Sequence, residues 1–419
     1  MKPAETLPTE LGDVGETSTE LPERSPSPGA LPTETQVKIS GKPAPPFADL
    51  RMFPGGSGWA VGAAPEAAGQ IFHTSDGGYT WIYAGPPQEE AVPAGYRAYA
   101  FFLDPEQAWV TYYPAEAPAL GPSSVWHTAD GGKSWTSGFT PPLNQDIPDY
   151  AFEAMYFTDA ENGWLMLAHS PGAGNAPVSL FGSRDAGVNW EILLDPFSGQ
   201  AGNLHTCCRA GMLFVDNLNG FVPYGGGPIT EALVHVTRDG GRTWISQELP
   251  PADTQLFARS ICGTRSISGL GEAGLALVVA CFDPDRPAPI PIPYLYLSKD
   301  AGSSWSSIAL PDEPVQSAPL ARYRRDFQIQ FIDAGNGWLF LLDEDWSQGE
   351  PPAATTSIYQ TQDGGLNWVK KVQVNWINYF SFSDPQNGWA ITRLGKESGL
   401  LRTSDGGETW QPLNPVLQP

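Results

Sequence analysis

The chain has 419 residues, with 46 acidic and 23 basic side chains and a formal net charge of −23 at pH 7. This acidic balance argues against a nucleic-acid partner, whose affinity comes mainly from Lys and Arg, and against attachment through a basic membrane patch. Only 16% of the residues are charged, while Gly (46) and Pro (42) are abundant. Such a composition is typical of a loop-rich β protein, and no run approaches the roughly 20 apolar residues of a transmembrane helix.

Residues 1–45 are rich in Pro, Thr, Ser and Glu and contain few large apolar side chains. Because such a segment cannot bury a core, we predict a disordered tether ahead of a single domain over residues 46–419. Tethers of this kind often follow a signal peptide or lipid anchor, so an extracytoplasmic, secreted or surface-tethered lipoprotein is expected, although this chain shows no signal sequence. The alternative is a cytosolic protein with a flexible tail.

Seven copies of one pattern, Ser/Thr-x-Asp-x-Gly-x-x-Trp, follow the tether. Their aspartates are Asp76, Asp130, Asp185, Asp239, Asp300, Asp363 and Asp405, and their tryptophans are Trp81, Trp135, Trp190, Trp244, Trp305, Trp368 and Trp410. The steps between the aspartates are 54, 55, 54, 61, 63 and 42 residues, a period that indicates a repeat array. In each copy, Asp and Gly are typical of a tight hairpin turn, so we predict that the box is structural.

A second pattern precedes the boxes, and its fullest form is Phe-x-Asp-x-x-Asn-Gly-Trp, as in residues 157–164, 331–338 and 382–389. It predicts another strand–turn–strand unit. Each repeat therefore consists of four strands. Antiparallel four-stranded units at this period are propeller blades, so the predicted fold is an all-β, seven-bladed β-propeller.

The box resembles the Asp-box (BNR) repeat. Its pairing with the upstream Asn-Gly-Trp strand resembles the photosystem II stability and assembly factor-like family over about residues 46–419. The resemblance implies a seven-bladed propeller. It also implies a role in binding a partner protein, since the photosynthetic members act as assembly chaperones.

The expected functional face is the one opposite the boxes, because the long loops, such as residues 113–123 and 283–293, all fall there. The first strands of the blades begin at that face and carry most of the arginine-rich and aromatic candidates. The candidate binding residues at the channel mouth are Arg97, Arg209, Arg265, Arg322, Tyr323, Arg324, Arg325 and Trp376. Arg, Tyr and Trp are typical of binding hot spots. The alternative is that the arginines neutralise nearby carboxylates such as Asp326.

The four cysteines are Cys207, Cys208, Cys262 and Cys281. Cys262 and Cys281 lie at equal distances from the middle of a predicted turn, so we expect cross-strand partners and a disulfide. The alternative is two buried thiols. For Cys207 and Cys208, a vicinal disulfide and an interblade bond between Cys208 and Cys262 are both left open.

We expect a non-catalytic, monomeric, protein-binding scaffold with no cofactor and no metal, since the five His residues show no ligand spacing. The alternative is a secreted propeller that binds or hydrolyses glycans, as sialidases do. Against a sialidase stand the absence of an Arg-Ile-Pro segment and seven boxes where six blades are usual.

Overall fold

The computed structural model describes residues 41–63, 67–87, 95–114, 124–140, 150–169, 177–196, 204, 209–224, 233–285, 290–313, 323–349, 352–394 and 397–418. They all belong to one compact unit, residues 40–419. None of the helices in these ranges is long and apolar enough to cross a membrane.

The chain forms seven sheets, and each contains a blade of four consecutive antiparallel strands, so the predicted seven-bladed propeller is confirmed. Blades 1 to 3 consist of β2 (Phe47–Met52), β3 (Gly58–Gly62), β4 (Ile71–Thr74), β5 (Thr80–Tyr83); β6 (Tyr96–Phe102), β7 (Ala108–Pro114), β8 (Ser124–Thr128), β9 (Thr136–Phe139); and β10 (Tyr150–Phe157), β11 (Gly163–His169), β12 (Val178–Ser183), β13 (Glu191–Leu194).

Blades 4 to 7 follow the same order along the chain. They consist of β14 (Leu213–Phe214), β15 (Gly220–Pro223), β16 (Leu233–Thr237), β17 (Ile245–Glu248); β18 (Ile261–Gly269), β19 (Leu275–Phe282), β20 (Ile292–Ser298), β21 (Ser306–Ala309); β22 (Tyr323–Phe331), β23 (Gly337–Asp345), β24 (Ala353–Thr361), β25 (Val369–Val374); and β26 (Ile377–Phe382), β27 (Gly388–Leu394), β28 (Glu397–Thr403), β29 (Gln411–Leu413). The described residues also form one short helix, α1 (Thr254–Phe257), and a 3₁₀ turn (Trp346–Gln348).

Two further strands close the ring on blade 1. The strand β30 (Val416–Leu417) pairs in parallel with β5, and β1 (Lys42–Pro43) pairs with β30. The sheet of blade 1 therefore has six strands and takes in residues 42–43, which the sequence places in the tether.

The boxes form closed hydrogen-bond networks at the turns between the third and fourth strands. In all seven, the Ser or Thr hydroxyl donates to the Asp carboxylate over 2.7–3.0 Å. In blade 1 the Gly77 N–H also donates to the Gly56 carbonyl in the turn between the first two strands (2.7 Å). Both kinds of turn therefore lie on one face, which we call the box face.

Tryptophans hold the blades together. Each box Trp packs in a different one of seven hydrophobic clusters, and each of these clusters joins two neighbouring blades. In five of the seven blades, a Trp at the second position of the second strand links the blade to the next. Trp164 Nε1, for example, donates to the Gly240 carbonyl (2.8 Å), and Trp389 Nε1 donates to the Gly77 carbonyl (2.8 Å). The boxes and the upstream strands therefore build one continuous seam.

Cys262 and Cys281 form a disulfide between directly opposed residues of β18 and β19. Arg265 is an extra, bulged residue in β18. If the register that pairs Ser266 with Val278 continued along the strand without this extra residue, Cys281 would be paired with Gly263. The bulge therefore brings the two cysteines together. Cys207 and Cys208 lie outside the described residues.

Candidate functional site

The first strands of the blades converge on the central channel, where β18 contacts β22 and β2 contacts β26. Seven equivalent positions, each nine residues before the second strand's first paired residue, form what we call the first channel ring. Its members are Asp49, Tyr99, Ala154, Gly211, Ser266, Gln328 and Tyr379. The strand pairing supports this equivalence in six blades. In each of them the ring member is paired with the residue three positions after the first residue of the second strand.

Two residues further along each strand lies a second channel ring, nearer the box face. It consists of Arg51, Phe101, Tyr156, Leu213, Ser268, Gln330 and Ser381. Several of its polar members bind the backbone of a neighbouring blade: the Phe331 N–H donates to Ser268 Oγ (2.9 Å), and the Met52 N–H donates to Ser381 Oγ (3.0 Å). These bonds draw the first strands of blades 5 and 6, and of blades 7 and 1, together.

A cavity of about 650 Å³ lies in the channel and is lined by ten members of the two rings, Arg51 and Tyr379 among them. It extends to the turns at the box face, through Thr158, Val215 and Gly271. The expected site at the opposite face rested on loop length. This cavity is lined mainly by residues of the first strands. Because it also reaches the turns of the box face, it lies toward the box end of the channel.

Asp49 and Tyr379 form a pair where blade 7 meets blade 1. The Tyr379 hydroxyl lies beside the Asp49 carboxylate, which accepts a hydrogen bond from the Leu50 N–H (2.7 Å). Burial raises the pKa of Asp49, and the neighbouring Asp49 charge, followed by burial, raises the pKa of Tyr379. Tyr379 is nevertheless 43% exposed, because it faces the channel. A partly desolvated carboxyl group beside a tyrosine that lines a cavity is suited to acid–base chemistry.

Bulges occur at equivalent positions in three blades. Ala48, Glu153 and Arg265 are each unpaired, and each lies ten residues before the first residue of the second strand. The first pairs of strands in blades 2, 6 and 7 run without a shift. Bulges redirect side chains and are common near active sites. Their position directly before the first channel ring therefore indicates that this ring is a candidate site.

Of the residues predicted at the channel mouth, three are occupied by intramolecular contacts. Arg209 donates to Glu153 through Nε and Nη2 (3.0 and 3.3 Å), and Arg325 donates to Asp343 through the same atoms (2.6 and 2.8 Å). Trp376 is 7% exposed and packs in the cluster between blades 6 and 7. These two arginines thus follow the alternative in which they neutralise carboxylates.

The remaining predicted residues are dispersed. Arg97 and Arg324 are exposed at the start of β6 and β22, and Tyr323 is half-buried, with its pKa raised by burial and by Asp343. Arg265 lines the cavity, and its guanidinium lies 5.7 Å from the Phe282 ring centroid. Arg322 lies outside the described residues. Binding of a protein partner at this mouth, and a monomeric state, stay predictions.

The sequence reasoning missed Asp49, Arg51 and Tyr379. The signal that would have found them is the offset itself, since Asp49 lies nine residues before Gly58 and Tyr379 nine before Gly388. Within the described part of the chain, no group of three or more His, Cys, Asp or Glu side chains is placed to hold a metal ion.

No protein-family model matches the chain, and no curated protein matches its sequence. Solved structures do share the fold. The GH74 xyloglucanase from Xanthomonas campestris is 14% identical with a TM-score of 0.51, and the match covers 90% of this chain and 55% of the xyloglucanase. This chain therefore spans about half the length of that enzyme.

Two further similar structures are smaller proteins. A PL25 ulvan lyase is 12% identical with a TM-score of 0.45, covering 90% of this chain and 96% of the lyase. An α-L-arabinanase from Penicillium chrysogenum is 16% identical with a TM-score of 0.41, covering 80% of this chain and 97% of the arabinanase. At these identities the likeness shows the fold alone.

The expectation of a non-enzyme is wrong on this comparison. The GH74 xyloglucanase is an enzyme and shares the propeller fold, so the fold offers no ground for expecting a non-catalytic protein. The Asp-box and photosystem II factor-like resemblance stays a prediction.

Proposed function

We propose that this protein is a glycan-cleaving propeller whose active site is the central channel cavity. The observation that carries the proposal is the pair of Asp49 and Tyr379, because Tyr379 lines the cavity together with Arg51, the one arginine of the second ring, and Asp49 lies next to both. A cavity lined by hydroxyl, amide and aromatic groups suits a sugar. Enzymes that share the fold support the proposal of glycan cleavage by analogy only.

In this proposal Asp49 is the general acid. It gives its proton to the glycosidic oxygen as the carbon–oxygen bond breaks, and water adds to the sugar carbon and releases a proton. Tyr379 lies beside the carboxyl group and orients it. A raised pKa keeps a carboxyl group protonated nearer neutral pH, which is what an acid catalyst needs.

The seam of blades 2 and 3 offers aromatic surfaces, and Tyr156 of this seam lines the cavity. The rings of Tyr99 and Phe152 stack with centroids 4.3 Å apart, and those of Phe101 and Tyr156 lie 5.1 Å apart. All four side chains are half-buried and lie at the seam of blades 2 and 3. We propose that a sugar ring packs against this wall while its glycosidic oxygen faces Asp49.

The test is hydrolysis of a panel of 4-nitrophenyl glycosides of neutral and acidic sugars, with polysaccharides assayed for new reducing ends. We expect Asp49→Asn to lower kcat by about 100-fold or more, and Tyr379→Phe to lower it less. The matched control is Tyr83→Phe, a tyrosine 41% exposed on the outer strand β5, which should leave kcat unchanged. A wild-type protein inactive on the whole panel would contradict the proposal.

We further propose that the protein acts outside the cytoplasm. A glycan substrate fits this location, and so does the Cys262–Cys281 disulfide, because structural disulfides persist mainly in oxidising compartments. Fractionation of the source cells with an antibody against the propeller tests this location.

A further inference from the structure

The wall of the channel cavity is positively charged, although the chain as a whole has a formal net charge of −23. Arg51 and Arg265 are among the described residues that line the cavity, and no Asp, Glu, Lys or His is among them. We infer that the cavity selects an acidic sugar and that Arg51 binds the carboxylate or sulfate group of this sugar. The choice of a sugar rests on the proposed glycan cleavage, whereas the preference for an anion rests on the cavity itself.

The side chain of Arg51 is available for a ligand. It is exposed in β2, and it makes no hydrogen bond and no ion pair with any residue that the structure describes. Its guanidinium lies 5.5 Å from the centroid of the Phe53 ring. Arg209 and Arg325, by contrast, are each held by a carboxylate. Because a guanidinium is a planar fork of N–H donors, Arg51 can bind an oxyanion through two hydrogen bonds.

Asp49 is the only acidic member of the two channel rings. It lies two residues before Arg51 in β2, and its carboxylate accepts a hydrogen bond from the Leu50 N–H (2.7 Å). Burial raises the pKa of Asp49 and outweighs the charge of Arg51, which acts in the opposite direction. Because a protonated carboxyl group carries no charge, Asp49 neutralises Arg51 less than an ordinary carboxylate would.

The charge of Arg51 acts on both sides of blade 1. Burial raises the pKa of Tyr156 on blade 3, and the charge of Arg51 opposes this shift. The neighbouring Asp49 charge, followed by burial, raises the pKa of Tyr379 on blade 7, and the charge of Arg51 opposes this shift as well. Both tyrosines line the cavity. Arg51 therefore faces a space that is shared by blades 1, 3 and 7.

Other polar groups of the cavity wall can donate hydrogen bonds to a ligand. Ser266 Oγ accepts from the Ile329 N–H (3.1 Å), and Ser381 Oγ accepts from the Met52 N–H (3.0 Å). A hydroxyl group that accepts a backbone hydrogen bond still has its own hydrogen to donate. Gln328 is exposed on β22, and its amide makes no hydrogen bond with the described residues. Donors around a cation favour a ligand that is rich in acceptor oxygens.

The size of the cavity fits a sugar better than a bare ion. Its volume of about 650 Å³ lies within the range of roughly 300–1,000 Å³ that is usual for small-molecule sites. Apolar side chains such as Leu213 and Ile329 also line it, and they offer surface to the C–H groups of a sugar ring. An acidic sugar combines such a ring with a group that Arg51 can bind.

The first experiment measures the dissociation constants of matched sugar pairs by NMR titration of the full chain. The pairs are glucuronate and glucose, galacturonate and galactose, N-acetylneuraminate and its methyl ester, and glucose 6-sulfate and glucose. We expect the acidic member of at least one pair to bind about tenfold or more tightly than its neutral partner. The sulfate pair shows whether the preferred anion is a sulfate or a carboxylate.

Variants of Arg51 assign this preference to one side chain. Arg51→Gln should raise Kd for the acidic sugar by about tenfold or more and leave Kd for the neutral sugar unchanged. Arg51→Lys keeps the charge without the planar fork, so its affinity should lie between those of Arg51→Gln and the wild type. The matched control is Arg242→Gln, which removes the same charge from an exposed ion pair with Glu191 and should bind as the wild type does.

Thermal unfolding followed by circular dichroism accompanies these titrations. Because Arg51 is exposed and makes no hydrogen bond with the described residues, Arg51→Gln should unfold at the temperature of the wild type. The loss of affinity then reports on the site and not on the fold. Equal binding of both members of every pair, or wild-type affinity in Arg51→Gln, would overturn the inference.

The glycoside panel separates this inference from the proposed function. If the wild type cleaves glycosides but binds acidic and neutral sugars equally, the role of Arg51 is overturned and the proposed function stands. If the wild type binds an acidic sugar through Arg51 and cleaves nothing, the proposed function falls and the anion site stands. A protein that binds no acidic sugar and cleaves nothing overturns both.

Discussion

His235 on β16 shows how burial of a single residue sets a pH limit on the fold. It is 1% exposed, and its Nδ1 lies 3.1 Å from Ser246 Oγ. Burial, followed by the charge of Arg209, lowers the pKa of His235 to about 4. The folded protein therefore keeps this ring neutral, whereas the unfolded chain takes up a proton near pH 6.5.

We predict that stability is highest above about pH 6.5 and falls as the pH drops toward 4. The sign follows because the unfolded state binds the proton first, and a difference of about 2.5 pKa units corresponds to about 3 kcal/mol. Urea unfolding from pH 7 to pH 4 measures this loss. In His235→Gln the loss should shrink by that amount, and an unchanged pH slope would contradict the assignment.

Residue-level prediction from the sequence succeeded where the residue belongs to the repeat and failed where it does not. Asp185 and Trp190 lie in a local turn whose hydrogen bonds span at most four residues. Asp49 and Tyr379 are 330 positions apart, and only closure of the ring makes them neighbours. No local sequence spacing predicts this contact. The signal that does indicate it is that both residues lie nine positions before the Gly of a Gly-Trp pair.

At the scale of the element, a blade is stable because its tryptophans reach the next blade. Trp244 is 3% exposed, packs with Trp164 and Phe214 of the cluster between blades 3 and 4, and donates from Nε1 to the Gly241 carbonyl (3.0 Å). Its box therefore stabilises the seam as well as its own turn.

We predict that Trp244→Ala lowers the free energy of unfolding by about 3–5 kcal/mol, through lost burial and a cavity in the seam. The matched control is the next residue, Ile245, which is 60% exposed; Ile245→Ala should change stability by less than about 0.5 kcal/mol. Urea denaturation of both variants gives the comparison, and equal effects would show that the seam does not depend on the box Trp.

The hairpin of blade 5 gives a second prediction at this scale. Its disulfide closes a loop with a sequence separation of 19, which in the chain-entropy description stabilises the fold by about 3 kcal/mol. Reduction should therefore lower the free energy of unfolding by about that amount. In unreduced, denatured protein, mass spectrometry should find Cys262 and Cys281 protected from alkylation, and four alkylated thiols would contradict the pairing.

The sequence predicted this pair without predicting the bulge on which it depends. Symmetry about the turn selected Cys262 and Cys281, but the actual turn pairs Gly269 with Leu275, a register displaced by one residue. Arg265 restores the opposition of the cysteines. Bulges at Ala48 and Glu153 are equally invisible in the hydrophobic pattern, because an inserted residue leaves the turn signals unchanged.

At the scale of the whole molecule, closure of the ring depends on both described ends of the propeller. The Val416 N–H donates to the Tyr79 carbonyl (3.0 Å), the Gln418 N–H to the Trp81 carbonyl (2.8 Å), and the Ala44 N–H to the Pro415 carbonyl (2.9 Å). The repeat count predicted seven blades, but these strands lie outside the repeat and carry no motif, so the sequence placed residues 42–43 in the tether.

We predict that removal of residues 415–419 lowers the free energy of unfolding by about 2–4 kcal/mol, since three backbone hydrogen bonds at about 1 kcal/mol each are lost together with the packing of Leu417 against blade 1. The matched control is Gln418→Ala, which keeps the backbone bond and changes an exposed side chain.

Because closure also brings blade 7 against blade 1, it positions Tyr379 beside Asp49. The truncated protein should therefore lose glycosidase activity at temperatures below its own midpoint of unfolding, when circular dichroism still shows a folded sheet. Activity and secondary structure that disappear together would show instead that the ring opens only on global unfolding.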